Sequence, residues 1–311
     1  MKRIGAVAVL AGLFAFPATA SAATTCTAGV LPTPPDTVAY SVTGTDGHGT
    51  FIGVVQGAQR QEGVVWRDGD ATLLPDFVPL DINDSGLMGG YTPGPSNGRV
   101  IAALRPLDGP VRKLDASWTT AVNGVNDAGD AVGDVYLEHP VVHVSALWRT
   151  PDYRLDGLYR SNASPKAIDD TGLVIGRLDF PDTSFTVWSA TTREIIREYG
   201  PEVQLYDVDN GVIAASHNRK IVKIDGWTGA ETVVPGATNA VPFAIEDGVI
   251  AGSARRAAML WRDGEAILLP APADTTTREA SAVNATGTEA AGISVSTTGK
   301  VVPTLWECSA A

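Results

Sequence analysis

Apolar residues in this chain come in short runs, each closed by a polar turn. Leu80-Asp81-Ile82 enters Asn83-Asp84-Ser85-Gly86, and Leu87-Met88-Gly89-Gly90-Tyr91 leaves it. The device returns at Val125–Gly133 and Ile168–Gly176, and more weakly at Val208–Gly211, Ile245–Gly248 and Val283–Gly287; an eroded first copy ends at Gly49. Asn and Gly tolerate the positive φ of tight turns, so each copy predicts a β-hairpin. A second marker runs in step: an apolar triplet ending in Trp, a polar turn, then a short apolar run. Gly63–Pro75 and Ala258–Pro270 are its best copies; Trp148, Trp188 and Trp306 mark three more, and Arg105 and Asp225 stand at the Trp place in the other two. The turn glycines at 49, 86, 129, 172, 211, 248 and 287 thus mark seven units. Their period of roughly 40 residues points to an array of supersecondary units.

Each unit reads as four strands: A before the Asn-Asp-x-Gly turn, B after it, C ending at the Trp position, and D in the Leu-Leu-Pro run. No stretch after the first residues carries a helical stripe. Strand C is apolar at successive positions, as suits a strand covered on both faces. Seven four-stranded units predict an all-β, seven-bladed β-propeller, with an open β-solenoid as the alternative. The chain ends favour the ring. The seventh unit stops at Leu305-Trp306-Glu307-Cys308 without a strand D, and Cys26–Pro32 resembles a strand D without its strand C. One blade is therefore expected to be assembled from both ends. Aligned on Trp66 and Pro75, Cys308 and Cys26 fall on adjacent positions of the interrupted hairpin, which predicts a Cys26–Cys308 disulfide. Two unpaired thiols, or pairing between chains, are the alternatives.

Ile82-Asn83-Asp84-Ser85-Gly86, Ala146-Leu147-Trp148 and Leu260-Trp261-Arg262-Asp263-Gly264 together resemble the bacterial exported HAF-repeat proteins. That family carries Asn-Asp-x-Gly-x-x-x-Gly and His-Ala-Phe-Leu-Trp signatures, and the resemblance implies a β-propeller and export. It covers nearly all of the chain after the first residues, although no unit keeps His-Ala-Phe. It brings no catalytic residues.

Residues 1–22 read as a signal peptide: Lys2 and Arg3, the apolar Ile4–Phe16, Pro17, and the cleavage site Ala20-Ser21-Ala22. The apolar run is short for a membrane span, a retained anchor helix being the alternative. Residues 23–311 then form a single secreted, extracellular propeller domain, expected to be a monomer. The net charge is −12 and becomes more negative once Lys2 and Arg3 are lost. That argues against nucleic-acid and anionic-membrane partners. A disulfide suits an oxidising compartment.

No serine-hydrolase elbow, zinc helix or phosphate loop occurs. His48, His139, His143 and His217 are scattered, and no cofactor or metal is called for. Asp81–Gly86 resembles the start of a calcium loop, but Thr92 stands where the closing Glu belongs, and hairpin turning explains the motif. Six residues before each Trp-equivalent position stand Arg60, Arg99, Val142, Asp182, Arg219, Arg255 and Lys300. The five cations suggest a basic rim at the channel mouth for an anionic ligand; ordinary solvated loop ends are the bland alternative. Phe77, Trp118, Tyr159 and Glu138 are expected in loops of the same face, where aromatics stack on sugars or anchor partners. The expected function is a binding or scaffold module for an anionic ligand, glycan or cell-surface protein. The alternative is a hydrolase or lyase with its active site in the channel. The loops between blades are poor in acids and histidines, which favours binding. Two buried carboxylates of raised pKa in the channel would favour catalysis instead.

Overall fold

The computed structural model describes residues 24–94, 99–114, 119–138, 141–161, 163–178 and 184–309. Residues 1–22, read above as a signal peptide, lie outside them. The chain forms seven antiparallel sheets of four strands, each in the sequential order A-B-C-D. The A strands are Val38–Thr45, Val78–Ile82, Thr119–Val125, Ala163–Ile168, Val203–Asp209, Ala240–Glu246 and Thr275–Val283. They touch one another in sequence, and the last touches the first, so the sheets stand as blades around an axial channel. The fold is a seven-bladed β-propeller.

Blade 7 is built from both ends of the chain. Its strands Thr275–Val283, Glu289–Ser296 and Val301–Cys308 accept Cys26–Val30 as strand D. Cys26 lies directly opposite Cys308 in the strand register. The two are disulfide-bonded, with Cα atoms 4.0 Å apart. Arg262 adds a polar clasp: it donates to Thr286 O, Gly287 O, Thr24 Oγ1 and Ser309 O, and so holds both ends of the described chain.

The Asn-Asp-x-Gly turns join blades as well as strands. Asn83 Oδ1 accepts the Leu87 amide at 2.8 Å, closing its own turn, and Asn83 Nδ2 donates to Asn126 O of the next blade at 2.7 Å. Asn126 repeats the step to Asp169 O. In the same direction the Asp84 amide donates to Asp127 Oδ1, and the Asp127 amide to Asp170 Oδ1. The A–B turns of blades 2 to 4 therefore form a hydrogen-bonded arc around one channel mouth.

Strand A carries a β-bulge in every blade. The register slips between Val42/Gly44, Pro79/Asp81, Val122/Gly124, Pro165/Ala167, Leu205/Asp207, Pro242/Ala244 and Ala280/Ala282. A bulge re-aims one side chain. It also explains the second glycine of the repeat. A Cβ on Gly53, Gly90, Gly133, Gly176, Gly252 or Gly292 would collide with a strand A carbonyl beside the bulge, and on Gly53 and Gly176 also with a Trp ring. Gly133→Ala is therefore expected to cost about 2–3 kcal/mol, read as a lower midpoint in thermal or urea unfolding; an unchanged midpoint would remove the bulge as the reason for this glycine.

Strand C is buried on both faces, as its pattern predicts, and Trp66, Trp148, Trp188, Trp261 and Trp306 are all buried between blades. Trp66 Nε1 donates to Pro32 O and Trp306 Nε1 to Pro270 O, both at 2.7 Å. The proline ending one blade's strand D thus receives the indole of the next blade. Two expectations need correction. In blade 5 the buried residue facing strand B is Ile224, paired with Ile213. Asp225 instead accepts the amides of Trp227 and Thr228 and shapes the C–D turn. Phe77 is no exposed loop aromatic: it is fully buried against Ile52, Val65 and Met88.

Candidate functional site: the axial channel

The bulges decide what faces the channel. Thr43, Leu80, Asn123, Lys166, Tyr206, Phe243 and Ser281 are the extra residues of the seven inner strands, and all line one chamber of about 270 Å³. Three of them tie blades together: Thr43 Oγ1 donates to Pro79 O, Asn123 Nδ2 to Pro165 O and Ser281 Oγ to Val42 O. The other four make no such bond. Three of those four, Lys166, Tyr206 and Phe243, come from consecutive blades and form one wall. Lys166 Nζ stands 5.0 Å over the Tyr206 ring, and the Tyr206 and Phe243 rings meet edge-on at 6.2 Å.

Beyond this ring the chamber is acidic. Its described lining includes Asp81, Asp84, Asp127, Asp207, Asp209 and Glu246, and Lys166 is its one cation. Asp81 and Asp207 hold equivalent places beside their bulges. Asp81 Oδ2 accepts the Val125 amide at 2.8 Å, and Asp207 Oδ2 accepts the Ile245 amide at 2.9 Å, each from the next blade. Both are half-buried in the wall of the chamber. That desolvation pushes Asp81 up to about 7, and Asp207 nearby adds to the shift. Asp207 rises to about 6, held back by the Ile245 amide and by Lys166. Glu246 rises to about 8 through burial and the neighbouring Asp209 and Asp84. Burial pushes the Lys166 ammonium down, while Asp207 opposes the shift.

The residues expected to form the site sit elsewhere. Arg60, Arg219, Arg255 and Lys300 lie at B–C turns, on the face opposite the A–B turns. None of these, nor Arg99, is among the described lining of the chamber, because B–C turns join the second and third strands rather than the first. Arg60 donates to Pro75 O and pairs with Asp76 and Glu62. Arg99 accepts the Gly94 amide through its carbonyl. Arg219 and Arg255 adopt positive φ at their turn tips. Arg219 also lines a recess with Glu202, Gln204 and Tyr206. The Lys300 amide donates to Ser296 Oγ. Trp118, His139 and Asp182 lie outside the described residues. Tyr159 and Glu138 belong to strands Arg154–Ser161 and Ala131–Glu138, not loops, and their side chains are not among those described. His217 pairs with Glu231 at 2.9 Å. Asp81 and Asn83 of the calcium-like stretch direct oxygens at backbone amides.

Sequence reasoning sought acids in the loops between blades and so passed over Lys166, Tyr206, Asp207, Phe243 and Glu246, and took Asp81 only as the start of a calcium-like turn. The bulge residues do carry a signal. They stand six residues before the turn glycine, or five where the turn is one residue shorter, at Tyr206 and Phe243.

No family model matches the chain, and no curated protein does. Solved structures do. The β-propeller domain of the Trilobed protease from Pyrococcus furiosus, whose topology is described as open velcro, matches with a TM-score of 0.65 and 11% identity over 87% of this chain and 95% of that one. U3-55K matches with a TM-score of 0.58 and 10% identity, covering 90% and 98% of the two chains. A prolyl endopeptidase matches at 0.57 and 9% identity; 88% of this chain is covered, but only 50% of that one. Identities this low bear on the fold alone.

Proposed function

We propose that the protein is an exported propeller module that takes a small polar ligand into its axial channel. One observation carries this reading: the inner bulge positions of blades 4 to 6 hold Lys166, Tyr206 and Phe243, which take no part in sealing the blades. A position free of that structural duty, filled by a cation and two aromatic rings beside a carboxylate, suits recognition. The signal-like start, the disulfide and the resemblance to HAF-repeat proteins support a secreted, extracellular setting. The basic residues of the B–C face would then steer an anionic ligand or glycan toward the channel rather than grip it.

A second reading has its own support, because the condition set for catalysis is met: Asp81 and Asp207 line the channel with carboxyls raised to about 7 and 6, the range a general acid or base requires. Hydrolase or lyase chemistry on the bound ligand is therefore the alternative, placed second because each carboxyl also accepts a backbone amide of the next blade. The experiment is a calorimetric panel of sugars, small acids and amines on wild type, Tyr206→Ala and Arg255→Ala. A ligand weakened at least about tenfold by Tyr206→Ala alone supports the channel; weakening by Arg255→Ala alone moves the site to the rim. Product formed by wild type and lost in both Asp81→Asn and Asp207→Asn establishes the catalytic reading.

A further inference from the structure

Of the seven extra residues of the inner strands, Lys166 alone carries an amine, and it seals no blade. It lies between Pro165 and Ala167, where the ladder with strand B slips by one residue. Among the described residues its side chain makes no hydrogen bond and no ion pair. Its ammonium meets the Tyr206 ring at 5.0 Å and the field of Asp207. Lys166 is nevertheless exposed to the channel. It lines both the chamber of about 270 Å³ and an adjoining recess of about 600 Å³, a volume common for small-ligand sites. The other lysines among the described residues are placed differently. Lys223 donates to Gly248 O at 2.6 Å, and Lys113, Lys220 and Lys300 are exposed outside both spaces.

We propose that Lys166 is a covalent attachment point, its Nζ condensing reversibly with a small ring-bearing aldehyde that packs against Tyr206 and Phe243. The proposal rests on the channel being a ligand site, and specifies the ligand class and the atom that holds it.

Addition to a carbonyl needs a neutral amine that is both reachable and unengaged. Exposure to the channel makes Nζ reachable, and the lack of an acceptor leaves it unengaged. Desolvation lowers the pKa of the ammonium, with Asp207 opposing the shift, so more of it is neutral than on a solvated lysine. The Nζ lone pair attacks the carbonyl carbon and a C–N bond forms. A proton then passes from nitrogen to the carbonyl oxygen through channel water, and water leaves as the C=N bond forms. The aldehyde and Lys–NH2 thus give an imine and water, with no oxidant or reductant consumed. A group carried on Nζ starts over the Tyr206 face, and the Phe243 ring, edge-on to Tyr206 at 6.2 Å, extends that apolar wall. This favours a flat ring over a short alkyl group.

The imine can be trapped by treating the purified protein with sodium cyanoborohydride and either 4-hydroxybenzaldehyde or acetaldehyde near neutral pH. Peptide mapping then compares Lys113, Lys166, Lys220, Lys223 and Lys300. With 4-hydroxybenzaldehyde we expect Lys166 to be modified at least about tenfold faster than the average of the others, because a bound aldehyde gains effective concentration. Acetaldehyde, with no ring to seat, should show a smaller excess. Tyr206→Ala should remove the advantage of the ring. Lys166→Arg should remove the channel adduct and leave labelling of the other lysines unchanged. All five lysines are compared within one wild-type sample, so the test does not depend on a variant folding. Lys166 modified no faster than the exposed lysines, or an equal excess with both aldehydes, overturns the proposal. In that event a reversible ligand weakened by Tyr206→Ala keeps the channel reading standing, and the lack of any such ligand brings both down.

Discussion

Thermal unfolding should show this propeller to be more stable at pH 5 than at pH 8, the reverse of proteins held by ionised carboxylates. Asp81, Asp207 and Glu246 titrate at about 7, 6 and 8 in the fold, and near 4 in an unfolded chain. Between those values the folded state binds protons that the unfolded state does not. The resulting stabilisation is fully present below about pH 4 and is lost as pH rises through 6 to 8. One carboxyl raised to about 7 contributes about 4 kcal/mol across that window. Asp84, Asp127 and Asp209 shift in the same direction. The carboxyls pushed down, Asp108 and Asp225, are solvated surface groups whose pairing is screened. We expect the midpoint to fall by roughly 5–10 °C between pH 5 and pH 8. Asp81→Asn keeps an oxygen for the Val125 amide and removes the ionisation. It should therefore raise the midpoint at pH 8 and flatten the profile. A profile that is level, or that climbs with pH, would show that the channel carboxylates are hydrated like surface groups.

Reducing Cys26–Cys308 should bring the second large loss. The bond spans 282 residues of sequence, and loop-closure arithmetic for so long a loop gives about 5 kcal/mol. Strand Cys26–Val30 remains hydrogen-bonded to Val301–Cys308 without it, and Arg262 still reaches both ends, so part of the constraint persists. We expect the midpoint to drop by roughly 5–10 °C for Cys26→Ser/Cys308→Ser or for protein whose reduction is confirmed by thiol counting. Arg262→Met in the reduced protein should lower it further. A midpoint indifferent to verified reduction would mean that the strand edges alone keep the ring closed.

The architecture was legible because its signals are local and recur. Turn residues such as Asn83 and Gly86 declare hairpins wherever they stand, and seven copies declare a ring. The cysteines were legible because the missing strand D of one end is the surplus strand of the other. The site was not, for one physical reason. Alternation assigns residues to sheet faces only while register holds, and each inner strand breaks register just before its turn. Lys166 and Asp207 are therefore aimed by a bulge that no hydrophobic pattern announces. Asp81 looked like part of a turn because it adjoins Ile82-Asn83. Phe77 misled in the opposite sense: beside Pro75 and Asp76 it reads as loop, yet its ring fills the core between blades 1 and 2.

The closure of blade 7 also fixes an orientation. Cys308 ends a strand C and Cys26 begins a strand D, so Thr24 and Ser309, the bounds of the described chain, stand side by side on the face of the A–B turns. A tether joined at either of these points would leave from that acidic side. The molecule would then hang with the face of its B–C turns toward solvent, whichever of the two points is held.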